Sequence, residues 1–252
     1  MAKVVILGSS NAIPTPEHEN THLVVVGEQR VVMVDCVSDP LLRLEQAGLQ
    51  PDDLTDLILT HFHPDHVSGV PLLLMDMWLM GRRRPLNIYG LHHTLDRIEE
   101  LMGLYGWAEW PEFFPVSFCR LPADEMTGVL ECPEFRIFAS PVRHLLPTLG
   151  LRVEFSRSGK VLAYSCDTEP CPQVVRLAEG AHVLIHEAAG LSRGHSSAEQ
   201  AGEMAARAEA GSLYLIHYPT GKYAQGDLAA EASRSYQGPV RLAVDFMELD
   251  FG

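Results

Sequence analysis

The sequence predicts an α/β protein built as a four-layer αβ/βα sandwich, two mixed β-sheets packed face to face with helices outside. Three observations predict it. Short Val-rich runs divided by Gly, Asn and Pro open the chain as antiparallel β. Strand-like and helix-like runs alternate from residue 54 onward. A second β-rich run resembling the opening begins near Gly128, so each half offers a β meander followed by βα units, whose strands need cover on both faces. The 252 residues read as one domain, 1–252, built from two similar αβ halves of about 1–127 and 128–252.

In order, KVVIL (3–7) and LVVVGEQRVVMVDC (23–36) are predicted strands, and PLLRLEQAGL (40–49) has apolar residues at helical spacing. LTDLILT (54–60) is a short buried strand, VPLLLMDMWLM (70–80) a buried helix, PLNIYG a strand, and 92–104 a further helix. Three prolines make 105–122 irregular or an edge segment. VLECPEFRIFASPV and LGLRVEFSRSGKVLAYSCDT form the second β-rich run, with SRSG as a hairpin turn. HVLIHEAA (182–189) is a strand, SSAEQAGEMAARAEA (196–210) an alanine-rich helix, and SLYLIHYP (212–219) another strand. No solenoid period or low-complexity tract interrupts the pattern.

A formal charge of −14 and a pI near 5.2 repel long polyanions, so extended nucleic-acid binding is disfavoured, whereas a small anionic substrate held locally is compatible. No apolar span has membrane length and the N-terminal apolar run is too short for a signal core, so a cytoplasmic protein with no membrane partner is expected. Five cysteines without a CxxC pair argue against a disulfide framework and a cysteine–zinc site.

The chemistry concentrates in ILTHFHPDHVSG (58–69). His61 and His63, two apart at a strand end, point to the same side and can share one ion. Asp65 and His66 lie where a helix begins after Pro64 and aim differently, which suits a second ion. At this composition His-x-His-x-Asp-His arises by chance only about one time in a thousand. Imidazole and carboxylate donors favour zinc, manganese or iron. Three further ligand candidates follow apolar strand-like runs: His144 after ASPVR, Asp167 after VLAYSC and His217 after LYLI.

The order THFHPDHVSG, SPVRH, YSCDT, IHEA, GHSS and LIHYP resembles the metallo-β-lactamase superfamily, within it the branch of RNase Z and related phosphodiesterases. The resemblance spans nearly the whole chain, including ILGSSNAIPTP and GRRRPLNIYG. It implies the metallo-β-lactamase fold, with two divalent ions, expected to be Zn2+ with Mn2+ or Fe as alternatives. It puts His61, His63 and His144 on one ion, Asp65, His66 and His217 on the other, and Asp167 between them, a task its two oxygens allow across ions about 3.5 to 4 Å apart. Ions lower the pKa of bound water from 15.7 to about 7, so the protein need not supply a covalent nucleophile. By the same resemblance His195 protonates the leaving oxygen or stabilises the phosphoryl group. Ser196 or Ser197 caps the following helix, and Glu187 holds the His195 imidazole. The expected catalytic residues are thus Asp65, His195 and Glu187; His186 is read as structural.

Three departures bear on function. Only 22 residues separate His144 from Asp167, where RNase Z enzymes insert a long tRNA-gripping arm, leaving room for a hairpin alone. The usual SGD before the bridging aspartate reads SCD, putting Cys166 there as a buried filler or an oxidisable thiol. After the last histidine the family's Ser and Arg give way to Pro219 and Lys222, and Lys222 is the candidate phosphate contact.

Arg82, Arg83 and Arg84 follow a helix C-terminus, where they complement its dipole. Trp107, Trp110, Phe113 and Phe114 suit a pocket wall, core packing or the interface of a homodimer, since the branch commonly dimerises. The expected activity is a metal-dependent phosphodiesterase acting on a small phosphodiester or cyclic nucleotide. The alternatives are hydrolysis of a thioester, lactone or β-lactam, tRNA 3′ processing, and metal binding without catalysis.

Overall fold

A computed structural model describes residues 2–224 and 226–252. Among the described residues, fourteen strands divide equally between two sheets. In the first, β1 (Lys3–Gly8), β2 (His22–Val26) and β3 (Val31–Val34) form an antiparallel meander, and β4 (Asp56–Ile58), β5 (Leu86–Leu91) and β6 (Val116–Leu121) extend it in parallel. The C-terminal strand β14 (Glu248–Asp250) returns to pair antiparallel with β1. The second sheet repeats the plan. There β7 (Thr127–Glu131), β8 (Phe135–Val142), β9 (Thr148–Phe155) and β10 (Val161–Tyr164) are antiparallel, and β11 (Val183–Glu187), β12 (Leu213–Ile216) and β13 (Val240–Leu242) continue in parallel.

The strands are apolar on both sides, and both sides are covered. Val4, Ile6, Leu23, Val25 and Val32 of the first sheet meet Phe135, Ile137, Leu151, Val153 and Ile185 of the second in the central core. The outer face of the first sheet, through Val5, Val24, Met33 and Leu57, packs on three helices: α1 (Pro40–Gln46), α3 (Val70–Leu79) and α4 (His92–Leu104), with α2 (Pro64–Val67) between the first two in sequence. Ala163, Leu184 and Leu215 on the outer face of the second sheet pack on α6 (Ala198–Arg207) and α7 (Leu228–Ala232), while α5 (Pro172–Leu177) lies nearby through Val174 against Met204. Alanine dominates this contact, and Gly202 lets α6 approach so closely that a Cβ there would lie 2.3 Å from the Ala232 carbonyl oxygen. The result is the four-layer sandwich expected from the sequence.

Two expectations need correction. The apolar run 70–80 forms a helix, but only Val70, Leu73, Leu74 and Met77 are buried; Leu72, Leu79 and Met80 face outward, because α3 covers one side of a sheet rather than filling a core. The arginines after it do not complement its dipole. Arg82 is buried and donates to the carbonyls of Asp52, Leu54, Arg84 and Pro85, closing the loop before β5, while Arg83 pairs with Glu112 and Arg84 with Asp53. Trp107, Trp110 and Phe113 pack partly buried against the outer cluster of the first sheet, with Trp78 and Trp110 stacked at 4.9 Å and Phe114 fully inside. Among the described residues no helix is long and apolar enough to cross a membrane.

Candidate metal centre

The parallel strands of both sheets end at one rim of the sandwich, the usual place for a site in such sheets. Segments leaving β3, β4, β8, β10 and β12 there carry Asp35, His61 to His66, His144, Asp167 and His217, and Glu187 is the last residue of β11. The two sheets are tied at this rim by the Leu149 N–H, which donates to the Thr60 carbonyl at 3.1 Å. Asp35 and His217, together with Cys166 beside Asp167, adopt left-handed backbone (φ 61°, 54° and 52°). Such strain costs about 1–2 kcal/mol per residue and is held where surrounding structure fixes it, commonly at working sites. Cys166 thus carries, at a strain cost, the conformation that glycine takes without penalty in the SGD pattern.

The seven residues singled out as ligands converge. Nδ1 of His63 lies 2.9 Å from Nε2 of His61 and 3.1 Å from Nε2 of His144. Oδ2 of Asp167 sits among four imidazoles, 3.3 Å from Nε2 of His217, 3.4 Å from His66, 3.8 Å from His61 and 3.9 Å from His144. Asp65 reaches within 3.7 Å of His66 Nε2. Two donor groups share the seven between them, His61, His63, His144 and Asp167, and Asp65, His66 and His217; Cys166 also groups with His61 and His66, and His195 with Asp167 and His217.

The electrostatics favour a cation between them. Burial lowers the pKa of His61, His63 and His144, and that of His217 to about 4, so these rings are neutral and offer lone pairs at pH 7. Burial also acts on His66 in the lowering direction, but the carboxylates of Asp167 and Asp35 outweigh it and raise that ring well above the usual value. Asp167 is the mirror case: burial raises it, and His217 and His66 overcome that and hold it well below the carboxylate range. The Asp167 Oδ1 and His66 Nε2 atoms are buried with no hydrogen-bond partner. Buried polar groups are rarely left so. Lone pairs of three rings facing one another at about 3 Å, with two orphaned donor atoms beside them, fit the imidazole–carboxylate chemistry of a transition-metal centre.

Partners behind the rings fix their tautomers. Nδ1–H of His66 donates to Asp35 Oδ2 at 2.7 Å, and Nδ1–H of His61 donates to the Thr60 hydroxyl, which in turn donates to Asp35. His144 Nδ1–H donates to the Gly194 carbonyl at 2.6 Å, and His217 Nδ1–H to the Thr21 hydroxyl at 3.2 Å. Each leaves Nε2 free toward the centre, the arrangement typical of metal-ligating histidines. Asp35, Thr60, Thr21 and Gly194 escaped the sequence reading; the one signal was a buried-run terminus such as VVMVD ending on a carboxylate.

His195 stands at the mouth, its side chain 21% exposed against 0–3% for His61, His66, His144 and His217. Its Nδ1–H donates to Glu187 Oε1 at 2.9 Å, and its ring stacks on His217 at 5.8 Å. Burial drives Glu187 up to about 7, against the lowering effect of His195. Burial lowers His195, but Glu187 wins and the ring is raised. Glu187 is locked by the N–H groups of Thr168 and Ala189. Ser197, not Ser196, caps α6, in a capping box with Gln200. His186 is fully buried, with its Nδ1–H on the Glu187 carbonyl. Cys166 is a buried thiol 3.8 Å from His61 Nδ1. Lys222 stands on the exposed turn Gly221–Tyr223, its ammonium over the Tyr223 ring at 5.0 Å.

Comparison with known proteins shows the family and the fold. The family model described as Beta-lactamase superfamily domain matches residues 30–218. A protein of Methanothermobacter thermautotrophicus named Ribonuclease Z is 27% identical, covering 99% of this chain and 97% of its own. Among solved structures, the metallo-beta-lactamase fold protein YhfI of Bacillus subtilis superposes with a TM-score of 0.82 at 22% identity, covering 98% of both chains. Human tRNase Z, short form, gives 0.78 at 24% identity with the same coverage. The chain therefore belongs to the metallo-β-lactamase superfamily and, with it, to the metal-dependent hydrolases.

Proposed function

We propose that the chain is a two-metal phosphodiesterase acting on a small phosphodiester or cyclic nucleotide. His61, His63 and His144 would hold one ion, Asp65, His66 and His217 the other, and Asp167 both; Zn2+ suits the donor set best, with Mn2+ or Fe as alternatives. When bound, the ions activate water and offset charge developing on phosphorus.

The observation that carries the phosphodiester reading is the Glu187–His195 pair. A departing alkoxide needs a proton, whereas a thiolate leaving a thioester does not. His195 has its Nδ1 pinned by a buried carboxylate and its other nitrogen free at the mouth, which is how a proton donor is oriented. Asp65 would complete its metal position beside His66, and Lys222 would approach the phosphate by swinging off Tyr223.

The size of the substrate is argued from β9 and β10, which join through a tight turn with Gly159 at φ 67° and carry no inserted arm. A net charge of −14 adds repulsion against a long polyanion. The reading as a tRNA 3′-processing enzyme is favoured by the name of the archaeal relative, although that alignment runs over 308 positions against 252 residues here, so the relative carries stretches without counterpart in this chain. Kinetics on metal-loaded protein with bis(p-nitrophenyl) phosphate, cyclic nucleotides, a thioester, a cephalosporin and unprocessed and mature tRNA decide between them. The proposal expects the phosphodiesters to lead; preferential cleavage of unprocessed tRNA, or rapid acyl cleavage with background phosphodiester turnover, overturns it.

A further inference from the structure

The loop that delivers Asp167 continues into Glu169, a half-buried carboxylate with a position none of the assigned roles uses. Its backbone N–H donates to the Arg143 carbonyl at 2.7 Å, fixing the residue before His144. Its Oε1 accepts the Gly194 N–H at 2.9 Å, and the Gly194 carbonyl accepts the His144 Nδ1–H at 2.6 Å. Glu169, Arg143, His144 and Gly194 thus close a ring of hydrogen bonds across three loops. Gly194 suits its place in the ring: its φ is +84°, and a Cβ there would fall 2.8 Å from Leu145 Cγ and 3.0 Å from His144 Nδ1. Neighbouring Thr168 ties the same hub to the proton-donor side, its N–H on Glu187 Oε1 and its carbonyl accepting from the Ser196 hydroxyl.

We propose that Glu169 is a positioning residue for the metal centre, anchoring Gly194 through its N–H so that the carbonyl on the other side of the same residue fixes the tautomer and direction of His144. This inference rests on the metal reading of the site. The physical logic is short. The Gly194 carbonyl accepts the His144 Nδ1–H; the Gly194 N–H is held by the Glu169 carboxylate, and the next peptide, which carries that carbonyl, by the His195 N–H on the Ser192 carbonyl at 3.1 Å, so both sides of this flexible residue are fixed. Partners of this kind, behind a ligand, commonly change metal affinity by about 10–100-fold when removed. An amide oxygen can accept the same N–H bond, so charge at position 169 is not required, and the glutamine variant separates geometry from electrostatics.

The test is Zn2+ affinity of the full chain, stripped of metal and titrated in competition with a chromogenic chelator, alongside thermal midpoints of the metal-free forms. Glu169→Ala should weaken the tighter ion by about 10-fold or more, and Glu169→Gln should stay within about threefold of wild type. Glu169→Asp, one methylene short of Gly194, should behave like the alanine form and serves if that form fails to fold. A Glu169→Ala or Glu169→Asp protein with wild-type affinity overturns the proposal, as does a glutamine variant as weak as the alanine one. A wild-type chain that binds no zinc, manganese or iron overturns the metal reading and the clamp together. Tight wild-type binding with an unaffected alanine variant overturns the clamp alone.

Discussion

His144 Nε2 lies 3.1 Å from His63 Nδ1, although 81 residues and a change of sheet separate them. Two imidazole nitrogens that both present lone pairs gain nothing from each other at that distance; a shared cation would make the contact favourable. Asp167 Oδ2 lies beside the same rings, so residues from β4, β8 and β10 loops meet at one point. Several expectations follow from how that point is supported.

Asp35 stands behind both His66 and His61, accepting from the first directly and from the second through Thr60. Burial raises its carboxyl, and His66 counteracts this. Asparagine tolerates the left-handed backbone that residue 35 requires, so Asp35→Asn removes charge with little change of shape. Zinc affinity should fall by about 10–100-fold, read by chelator competition, with far-ultraviolet circular dichroism unchanged.

His195→Ala should lower kcat by about 10²–10⁴-fold on an alkyl phosphodiester and much less on bis(p-nitrophenyl) phosphate, whose leaving group departs without a proton. Glu187 raises His195, so the acid form persists to higher pH in the wild type. Activity on the alkyl ester should therefore fall as pH rises through that raised value, and Glu187→Gln should move this limb to lower pH. Equal losses on both substrates would remove His195 from the proton-donor role.

His22 and His186 are both fully buried and both lowered by burial to about 4. The unfolded chain binds a proton at each near pH 6.5 and the folded chain only near 4, so their contribution to stability is present above 6.5 and is lost as pH falls from 6.5 to about 4. Unfolding free energy should decline across that window. His186→Gln or His22→Gln should each flatten the slope by up to about 1.4 kcal/mol per pH unit. Urea denaturation at a series of pH values checks this.

Gly69 closes the ligand-bearing loop against α1's leading segment: a Cβ there would lie 2.8 Å from the Val37 carbonyl carbon and 2.9 Å from its nitrogen. Backbone cannot yield as a side-chain tip can. Gly69→Ala should cost about 1–3 kcal/mol of stability and lower metal content, both measurable on the purified variant.

Much of this cluster is legible in the sequence because four candidate ligands share one short stretch, and because His144, Asp167 and His217 each follow an apolar run that ends at the same rim. The layers are legible for a similar reason, since Val-rich runs of four to eight residues leave little alternative to buried strands. What escapes is whatever depends on contact across the fold. Asp35, Thr21 and Glu169 are single polar residues whose roles exist only once separate loops meet. Helices α5 and α7, six and five residues long, are too short to show a period. Arg82 misleads because a helix end and a buried loop call for the same residue type, and only the carbonyls around it reveal which one it serves.

The most direct measurement is metal content per chain by elemental analysis, on the wild type and on His61→Ala and His217→Ala after reconstitution with zinc. The account expects about two ions in the wild type and a clear loss in each variant, since the two histidines stand in different donor groups. A wild-type protein that stays empty, or variants that keep its full complement, would contradict it.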